Sequence, residues 1–575
     1  MQKMATVNRD TEIANDFKSQ GDSIITQLDK WYLAQPEAAC IYYGEDNLSL
    51  NYGEFIRQCN QVANSFARLG VSKGQRVSVF TKNPLIATVA MVAAWKIGAV
   101  YCPICTHYKG DLLAYIINDT APSLIVMDSD FINELNDIDK EIPTNLSIVI
   151  YQAEASGKTL PSKFENVETC TWDQLLTDND SHPSVDVSED DTANIIYTSG
   201  TTGNPKGVVQ THKWIHNYCY LNIRRVLSSP DTPAIFYNDL PMYHVGGAIY
   251  NVVTALWCGV KLALWDRFSA SKFWSRIQTS GATHAIFIDV MMDWLMKNPP
   301  ADIESDNSLS VVSMTPLPSN CIDVAKRFGI DFITTGYGST ELGLGFFGLI
   351  DVFPNNVKST YVDRKSFINC HLNLADFCVT RGDSTLKKGF MGAPSPLMEV
   401  KLIDAQGKNV AESQLGQGVF KPKIPGIILN AYFNKPELTT EALKNGWYYS
   451  PDIMHCDNRG NYYFEDRLEG LIRIRGENVS AYAIEQQLNK YPAIERSAVV
   501  GIPAEEGNEQ EVVAFLITNE GQNIDRNDLE RWIRDALPKF MQPSYLRFVD
   551  NFPTTNTFKV EKHKLQKGII TELSR

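Results

Sequence analysis

The stretch YTSGTTGNPKGVV, residues 197–209, combines hydroxyl side chains, glycines and a single lysine directly after an apolar run. That run, Ala193–Tyr197, predicts a short strand leading into the stretch. Glycines allow the backbone to turn tightly and to point its N–H groups inward as an anion-binding nest, and the ammonium group of Lys206 adds a positive charge. The stretch therefore predicts a loop that binds a polyphosphate.

This loop does not follow the Walker A pattern, in which Lys and then Ser or Thr follow a glycine directly. Here Pro205 precedes Lys206, and Gly207 follows it. A Ser/Thr/Gly-rich surface loop is the alternative interpretation. The density of hydroxyls and glycines directly after a predicted strand favours phosphate binding.

Length, charge and hydropathy limit the possible classes. The chain has 575 residues, the length of roughly three or four domain-sized units, and a net charge of −14. A general binder of nucleic acid or of an anionic membrane needs a basic face, so neither partner is expected. The apolar run Leu85–Trp95 is shorter than the ~20 residues that a membrane span needs, so it predicts a buried helix. Residues 1–20 lack the apolar segment of a secretory signal.

Eleven cysteines without a disulfide-like spacing predict a reducing, cytoplasmic location. Cys102 and Cys105 have CxxC spacing, with His107 nearby, which is typical of a redox pair or of half a zinc site. Half a tetrahedral site binds metal poorly, so buried thiols are the favoured interpretation. His212 and His216 are four residues apart without the glutamate of the metalloprotease pattern, and we expect them on the surface.

Apolar spacing predicts an α/β fold. Residues 52–70 form a helical pattern, Arg76–Phe80 a strand, Leu85–Trp95 a second helix and Ala99–Cys102 a strand end, which together favour a mainly parallel sheet. Short β-like runs at Glu399–Ile403, Gly418–Pro422 and Ile427–Ala431 predict a small β-rich subdomain over about residues 376–433. Beyond about residue 467, a helix at Ala483–Tyr491, strands at Ala498–Ile502 and Val512–Ile517, and a helix at Arg526–Leu537 predict a smaller α+β domain.

Further motifs follow the loop in a fixed order. They are Pro241-Met242-Tyr243-His244, Gly336-Tyr337-Gly338-Ser339-Thr340-Glu341, Tyr449-Ser450-Pro451-Asp452, Asp466-Arg467 and Pro553–Lys559. With these motifs the chain resembles the adenylate-forming superfamily of acyl-CoA synthetases, peptide-synthetase adenylation domains and firefly-luciferase-like enzymes, from about residue 20 to 567. The segments Arg475–Ser480 and Pro543–Leu546 are most similar to carnitine/crotonobetaine-type CoA ligases.

The resemblance implies that a carboxylate attacks the α-phosphate of ATP, that pyrophosphate leaves, and that a second nucleophile takes the acyl group from the adenylate. The residues it implies for ATP or AMP binding are Thr198, Ser199, Gly200, Thr201, Thr202, Gly203, Lys206, Gly336, Tyr337, Gly338, Asp452 and Arg467. The catalytic residues it implies are Lys559, His244, Thr340 and Glu341, with Glu341 also a ligand to Mg²⁺. It implies an N-terminal adenylation domain over residues 1–466, a hinge at 467–470 and a mobile C-terminal domain over 471–575.

Each of these residues also has an ordinary structural interpretation when it is taken alone. Tyr337 fits a core aromatic, Glu341 a helix-start carboxylate and Asp452 a turn residue. Arg467 fits a surface ion-pair partner, and Lys559 lies in a lysine-rich run typical of a solvated face. The joint order of the motifs favours the functional interpretation.

The acyl acceptor is left open by departures from the family pattern. Gly470 stands where the hinge usually has Asp or Lys, Ser450-Pro451 precedes Asp452, and Ala483 replaces a usual Glu. Arg475-Gly476 stands where paired glycines line the acceptor tunnel in the family. The arginine either blocks a pantetheine chain or binds a phosphate of CoA. The acceptor is therefore the CoA thiol, in an acyl-CoA ligase, or an amine, in a CoA-independent amide synthetase.

The expected partners are a small carboxylic acid and one of these two acceptors, with ATP, Mg²⁺ and CoA as co-substrates or cofactors. The residues that the resemblance places around the acid are Tyr243, Val245, Gly246, Met314 and Gly343. Leu342, Leu344, Phe346 and Phe347 favour an apolar chain or ring, and core packing is the alternative explanation for them. The identity of the acid and the oligomeric state do not follow from the sequence.

Overall fold

The structure is a computed structural model. It describes residues 2–21, 23–143, 146–152, 169–177, 179–198, 204–223, 226, 233–300, 304, 307–353, 378–382, 386–467, 471–474, 477–503, 510–519, 522, 524–537, 539–554 and 560–573.

The α-helices within these residues are α1 Gln2–Ser19, α2 Ile24–Ala34, α3 Tyr52–Arg68, α4 Pro84–Lys96, α5 Gly110–Thr120, α6 Ile132–Asp137, α7 Trp172–Leu175, α8 His212–Asn222, α9 Thr254–Cys258, α10 Phe273–Ser280, α11 Asp289–Lys297, α12 Cys321–Arg327, α13 Pro436–Ala442, α14 Ala481–Leu488, α15 Arg526–Ala536 and α16 Lys562–Leu573. A π-helical segment, Gly246–Val253, leads directly into α9.

The strands are β1 Ala39–Tyr43, β2 Leu48–Asn51, β3 Arg76–Phe80, β4 Val100–Pro103, β5 Leu124–Asp128, β6 Ser147–Tyr151, β7 Thr169–Thr171, β8 Thr192–Thr198, β9 Lys206–Thr211, β10 Ile235–Asn238, β11 Lys261–Leu264, β12 His284–Phe287, β13 Val311–Met314, β14 Phe332–Ser339, β15 Gly343–Asp351, β16 Cys378–Arg381, β17 Phe390–Pro394, β18 Met398–Ile403, β19 Gly416–Pro422, β20 Ala431–Tyr432, β21 Leu443–Lys444, β22 Trp447–Cys456, β23 Tyr462–Arg467, β24 Leu471–Ile474, β25 Glu477–Ser480, β26 Ile494–Pro503, β27 Gln510–Thr518 and β28 Tyr545–Phe548.

The chain divides into two compact units. The larger comprises residues 1–198, 205–399 and 420–448, and the smaller comprises residues 199–204, 400–419 and 449–575. The prediction of a mixed α/β fold with a larger N-terminal and a smaller C-terminal part is confirmed. The grouping of residues 376–433 into one subdomain stays a prediction.

Two sheets organise the larger unit. One has the order β20-β9-β8-β4-β3-β5-β6-β7, in which β3 to β7 and the β4–β8 pair are parallel, while β8–β9 and β9–β20 are antiparallel. The other runs β17-β15-β14-β13-β12-β10-β11-β1-β2. The predicted phosphate loop connects β8 to β9, and β14 and β15 form a hairpin in the other sheet.

Helix α4 confirms the predicted buried helix. Asn83 caps its first turn by accepting hydrogen bonds from the N–H groups of Leu85 and Ile86, and Pro84 occupies a position where a missing N–H costs nothing. Every residue of the helix is buried. Across the described residues, the structure contains no helix whose length and apolar character suffice for crossing a bilayer.

The smaller unit contains the antiparallel pair β22–β23, a two-stranded sheet (β24–β25) and a three-stranded sheet of order β26-β27-β28. Alternate residues of β26 and β27 face two different cores. Val499 and Ala514 pack with the buried faces of α14 and α15, whereas Val500 and Phe515 pack with α16. The predicted helices and strands of this region are confirmed, with boundaries that differ by a few residues.

The prediction that His212 and His216 lie on the surface is wrong, because α8 is buried along almost its whole length. His216 is fully buried and stacks between Phe17 of α1 and Trp257, at ring-centroid distances of 3.8 Å and 4.7 Å. Burial lowers the pKa of His212 to about 4 and that of His216 to about 3, so both rings are neutral at pH 7. The interpretation of Cys102 and Cys105 as buried thiols is confirmed, and neither forms a disulfide.

The predicted strand Ile427–Ala431 is also wrong except at its last residue, where β20 begins. The carbonyl groups of Gly426 and Ile427 accept hydrogen bonds from the side chains of Thr211 and Asn217. The carbonyl group of Ile427, the first residue of the predicted strand, therefore bonds to a side chain of α8 and not to a neighbouring strand.

We predict that the free energy of unfolding of His216→Phe falls less than that of wild type when the pH is lowered from 7.5 to 5.0. Because the folded pKa of His216 lies below the unfolded value of about 6.5, its contribution to stability is complete above pH 6.5 and is lost as the pH falls towards 3. At pH 5 the loss amounts to about 2 kcal/mol. Phenylalanine keeps the ring stack and cannot be protonated.

The measurement is the free energy of unfolding from urea titrations at pH 7.5 and pH 5.0. Wild type should lose more stability between these pH values than His216→Phe does. The control is His563→Gln, because His563 is exposed on α16, and this variant should follow wild type. Equal losses of unfolding free energy in wild type and His216→Phe would show that the buried imidazole does not cause the loss of stability at low pH.

Candidate active site

The two ends of the predicted phosphate loop are fixed by the β8–β9 pair. Thr198, the last residue of β8, is paired with Lys206, the first residue of β9, and its hydroxyl lies 3.5 Å from the carbonyl oxygen of Lys206. Ser199, Gly200, Thr201, Thr202 and Gly203 lie outside the described residues. The fixed ends place the Lys206 side chain at the start of a strand within the larger unit.

Glu341 lies in the tight turn between β14 and β15, not at the start of a helix. Its carbonyl oxygen accepts hydrogen bonds from the N–H of Leu429, at 2.6 Å, and from Nε1 of Trp214, at 3.4 Å. The neighbouring carbonyl of Thr340 accepts one from Nε2 of Gln210 at 2.9 Å. Three separate segments therefore hold the backbone of this turn in place.

Helix α8 presents a continuous face to the turn. Trp214, Asn217 and Tyr218, at helical spacing, all lie on this side. Nδ2 of Asn217 donates to the carbonyl of Ile427, at 3.0 Å, and lies 3.5 Å from that of Leu342. The helix thus ties the β14–β15 hairpin to the segment that leads into β20.

Glycines allow the two strands of this hairpin to approach each other. A Cβ atom on Gly336 would lie 2.4 Å from the carbonyl oxygen of Phe346, and one on Gly338 would lie 2.6 Å from that of Gly343. Gly343 has a φ of +77°, which favours glycine. The ring of Tyr337, between these positions, is buried and stacks on Phe420 with centroids 5.9 Å apart.

The side chains of Lys206 and Glu341 meet at one tyrosine that the sequence motifs did not single out. The hydroxyl of Tyr432 donates a hydrogen bond of 2.9 Å to Oε1 of Glu341. The Nζ atom of Lys206 lies 5.6 Å from the centroid of the same ring. Burial, and next the charge of Glu341, raise the pKa of the Tyr432 hydroxyl. The larger unit thus places the cation of Lys206 near the ring of Tyr432 and the carboxylate of Glu341 at its hydroxyl group.

Magnesium fits this arrangement as an ion that arrives with a nucleotide. The described residues contain no cluster of three or more His, Cys, Asp or Glu side chains that could hold a metal. Mg²⁺ is commonly bound by one or two carboxylates together with substrate phosphates and waters. The single carboxylate of Glu341 matches that donor set.

The residues predicted around the acid include one continuous segment. Tyr243 and His244 end a turn in which the N–H of His244 donates to the carbonyl of Pro241, and Val245 and Gly246 begin the helical segment after it. Burial lowers the pKa of His244 to about 4, so its ring is neutral at pH 7. No atom lies within 4 Å of the position of a Cβ on Gly246.

Met314 and the neighbouring aromatic residues belong to the core. Met314 is fully buried at the end of β13, and Leu342, Leu344, Phe346 and Phe347 are buried as well. Their burial matches the alternative explanation by core packing.

Asp452 and Arg467 lie opposite each other in the β22–β23 pair of the smaller unit. Nε of Arg467 is 3.5 Å from Oδ1 of Asp452, whose side chain is buried. Asp466 accepts hydrogen bonds from the N–H groups of Arg467 and of Tyr482, and so ties the strand end to the first turn of α14. Arg475, Gly476 and Lys559 lie outside the described residues.

The chain belongs to the AMP-binding enzyme family, the adenylate-forming superfamily. The family model for AMP-binding enzymes matches residues 28–421, and the model for the AMP-binding enzyme C-terminal domain matches residues 483–559. The predicted membership is confirmed, and the protein is an AMP-forming ligase.

One similar curated protein is the crotonobetaine/carnitine–CoA ligase of Salmonella arizonae. It is 28% identical over 526 residues, which cover 90% of this chain and 93% of the relative. Among solved structures, ATP-bound MatB from Rhodopseudomonas palustris has a TM-score of 0.75 and 21% identity, covering 95% of this chain and 98% of that one. The o-succinylbenzoate–CoA synthetase MenE of Bacillus subtilis, in complex with ATP and magnesium, has a TM-score of 0.73 and 20% identity, covering 94% and 98%. The two structures share the fold.

We predict that Gly343→Ala impairs pyrophosphate exchange more than it impairs folding. The new Cβ would lie 2.5 Å from Nδ2 of Asn217, and alanine would have to adopt a φ of +77°, so either the Asn217 side chain that supports the turn or the turn that carries Glu341 must shift. We expect a loss of about 1 kcal/mol or more in stability and at least a tenfold loss of exchange.

Gly407→Ala is the matched control. Gly407 has the same φ of +77° with no atom within 4 Å of the added methyl group. Gly407→Ala should lose stability because of its positive φ but should retain pyrophosphate exchange. If Gly343→Ala retains full exchange at a temperature where it is folded, the turn does not need its observed geometry.

Proposed function

We propose that the protein activates a carboxylic acid with ATP and Mg²⁺ as an acyl-adenylate, releases pyrophosphate and transfers the acyl group to the thiol of CoA. The observation that carries the ATP-dependent step is the arrangement of Lys206 and Glu341 around Tyr432 in the larger unit. The choice of CoA is supported by the 28% identity to a crotonobetaine/carnitine–CoA ligase over nearly the whole chain.

In the first half-reaction a carboxylate oxygen of the acid attacks the α-phosphorus, and the bond to pyrophosphate breaks. Magnesium, when bound, neutralises phosphate charge and orients the leaving pyrophosphate. Residues 198–206 bind the β- and γ-phosphates, with Lys206 as the cation, and Glu341 offers a carboxylate oxygen to the ion. Thr340 donates a hydrogen bond to the α-phosphate. Nucleotidyl transfer of this kind depends on positioning and charge neutralisation.

The remaining nucleotide contacts are assigned by family resemblance. Tyr337 contacts the adenine, with Gly336 and Gly338 allowing close approach. Asp452 accepts hydrogen bonds from the ribose hydroxyls, and Arg467 reinforces that contact. The buried ring of Tyr337 is held by its stacking on Phe420.

Lys559 is the residue proposed to neutralise the charge that builds between the acid and the α-phosphate. The division into residues 1–466, a hinge at 467–470 and a mobile domain over 471–575 belongs to this proposal. Gly470 in the hinge tolerates most backbone angles. A cytoplasmic location is part of the same proposal and rests on the cysteine pattern.

The acid is proposed to lie along Tyr243, His244, Val245 and Gly246, with Met314 and Gly343 nearby. A neutral His244 suits a channel that holds a carboxylate and an acyl group, since it offers a hydrogen bond without adding a fixed charge. In the second half-reaction the acceptor attacks the acyl carbonyl and AMP leaves.

The second candidate function is a CoA-independent amide synthetase. It is favoured by Arg475, which stands beside Gly476 where the family has paired glycines at the acceptor tunnel. A long cationic side chain at that point either obstructs the pantetheine arm or binds a CoA phosphate.

We predict that Lys559→Ala abolishes acid-dependent pyrophosphate exchange and leaves ATP binding within a few-fold of wild type. The lysine is assigned to the transition state, and its loss therefore lowers the rate and not the ground-state affinity. Lys567→Ala, an exposed lysine on α16, should behave as wild type. Undiminished exchange in Lys559→Ala would reject the role.

The acceptor is tested with a panel of acids, ATP and Mg²⁺, offered first with CoA and then with amines, and analysed by mass spectrometry. Acyl-CoA is the expected product for wild type. Amide formation without thioester, together with a gain of CoA activity in Arg475→Gly, would establish the amide synthetase instead.

A further inference from the structure

We propose that Tyr432 is a positioning residue that aims one oxygen of Glu341 at the metal of bound Mg·ATP and keeps Lys206 and Glu341 from pairing with each other. The inference rests on the proposed function, since it needs Glu341 to be the magnesium ligand. It concerns a residue that lies outside the sequence motifs quoted above.

The main chain of Tyr432 is fixed on both sides. Tyr432 is paired with Val208 in the antiparallel β20–β9 pair, its N–H donates to Oγ1 of Thr439 at 2.9 Å, and its carbonyl accepts from the N–H of Lys435 at 3.1 Å. The side chain is 8% exposed. A ring held in this way can fix the position of a second side chain.

That second side chain is Glu341. Oε1 of the carboxylate accepts the hydroxyl of Tyr432, whereas no described residue donates a hydrogen bond to Oε2. An ionised carboxylate has about four lone-pair sites, so a single bond leaves the other oxygen able to bind a hard cation. Hydrogen bonds of this type orient metal ligands and raise metal affinity.

Lys206 contacts the ring of the same tyrosine. Its ammonium group approaches the face of the Tyr432 ring and forms no ion pair with Glu341 within the described part of the chain. A direct ion pair would occupy both charges before the nucleotide arrives. With the ammonium group over the ring and the carboxylate at the hydroxyl, the cation stays available for phosphate oxygens and the carboxylate for the metal.

Two variants of Tyr432 test the contributions of its hydroxyl group and of its ring separately. Tyr432→Phe removes the hydrogen bond to Glu341 and keeps the ring over which Lys206 lies. We expect it to weaken Mn²⁺ binding, measured by electron paramagnetic resonance in the presence of α,β-methylene-ATP, by about 10- to 100-fold. Metal-free binding of the analogue and the melting temperature without ligand should stay close to wild type.

Tyr218→Phe is the matched control. It deletes a buried hydroxyl beside the same hairpin, 3.1 Å from the position of a Cβ on Gly338. The pKa of this hydroxyl is raised chiefly by burial and also by the charge of Glu341, without a hydrogen bond to that carboxylate. It should bind Mn²⁺ as wild type does. Equal weakening in both variants would mean that the hairpin, and not the orientation of the carboxylate, was disturbed, and would overturn the inference.

Tyr432→Leu removes the ring as well. Lys206 and Glu341 can then pair directly, so metal-free binding of the analogue should fall at least severalfold below that of Tyr432→Phe. If the two variants bind the metal-free analogue equally, the ring does not act as a spacer, and that part of the inference fails.

Glu341→Gln distinguishes this inference from the function on which it rests. Wild-type Mn²⁺ binding in Glu341→Gln would reject the magnesium site itself. Weak binding in Glu341→Gln together with wild-type binding in Tyr432→Phe would reject only the role of Tyr432.

Discussion

The site depends on the hydrogen bonds that hold the backbone of the β14–β15 turn. The carbonyl oxygen of Glu341 accepts from Leu429 and Trp214, and that of Thr340 accepts from Gln210. Because these donors belong to β9, α8 and the segment before β20, the turn cannot move without disturbing three neighbours. A carboxylate on a flexible turn would lose entropy when it bound an ion, and a turn fixed in advance avoids most of that loss.

The same constraint explains the local sequence. Close approach of two strands requires glycine at Gly336 and Gly338, and the sharp entry into β15 requires it at Gly343. The helix that supplies Trp214 and Asn217 is buried, so its histidines are held neutral, and a charged His216 would have no partner between two aromatic rings. Packing, backbone geometry and electrostatics therefore support one another around the turn.

Short-range patterns predicted most of the secondary structure. They also identified Lys206, Thr340 and Glu341 as candidate site residues, because each lies in a motif of a few adjacent residues. Tyr432 was not predicted as a site residue, because its hydrogen-bond partner, Glu341, is 91 positions away in the sequence. Its pairing with β9 also forms only when the chain folds. The burial of His216 was mispredicted for the same reason, since Phe17 and Trp257 cover it from distant segments. The strand predicted at Ile427–Ala431 was wrong because side chains of β9 and α8 bind the carbonyl groups of Gly426 and Ile427, where that strand would begin.

The most direct test of the account is the position of the metal. Crystals grown with Mn²⁺ and a non-hydrolysable ATP analogue would locate the ion by its anomalous diffraction. The account predicts a peak about 2 Å from the Glu341 oxygen that Tyr432 does not contact, with phosphate oxygens and waters as further ligands and the ammonium group of Lys206 bound to phosphate oxygens. A metal and nucleotide bound away from Glu341, or a Lys206 that pairs with Glu341 in the complex, would contradict it.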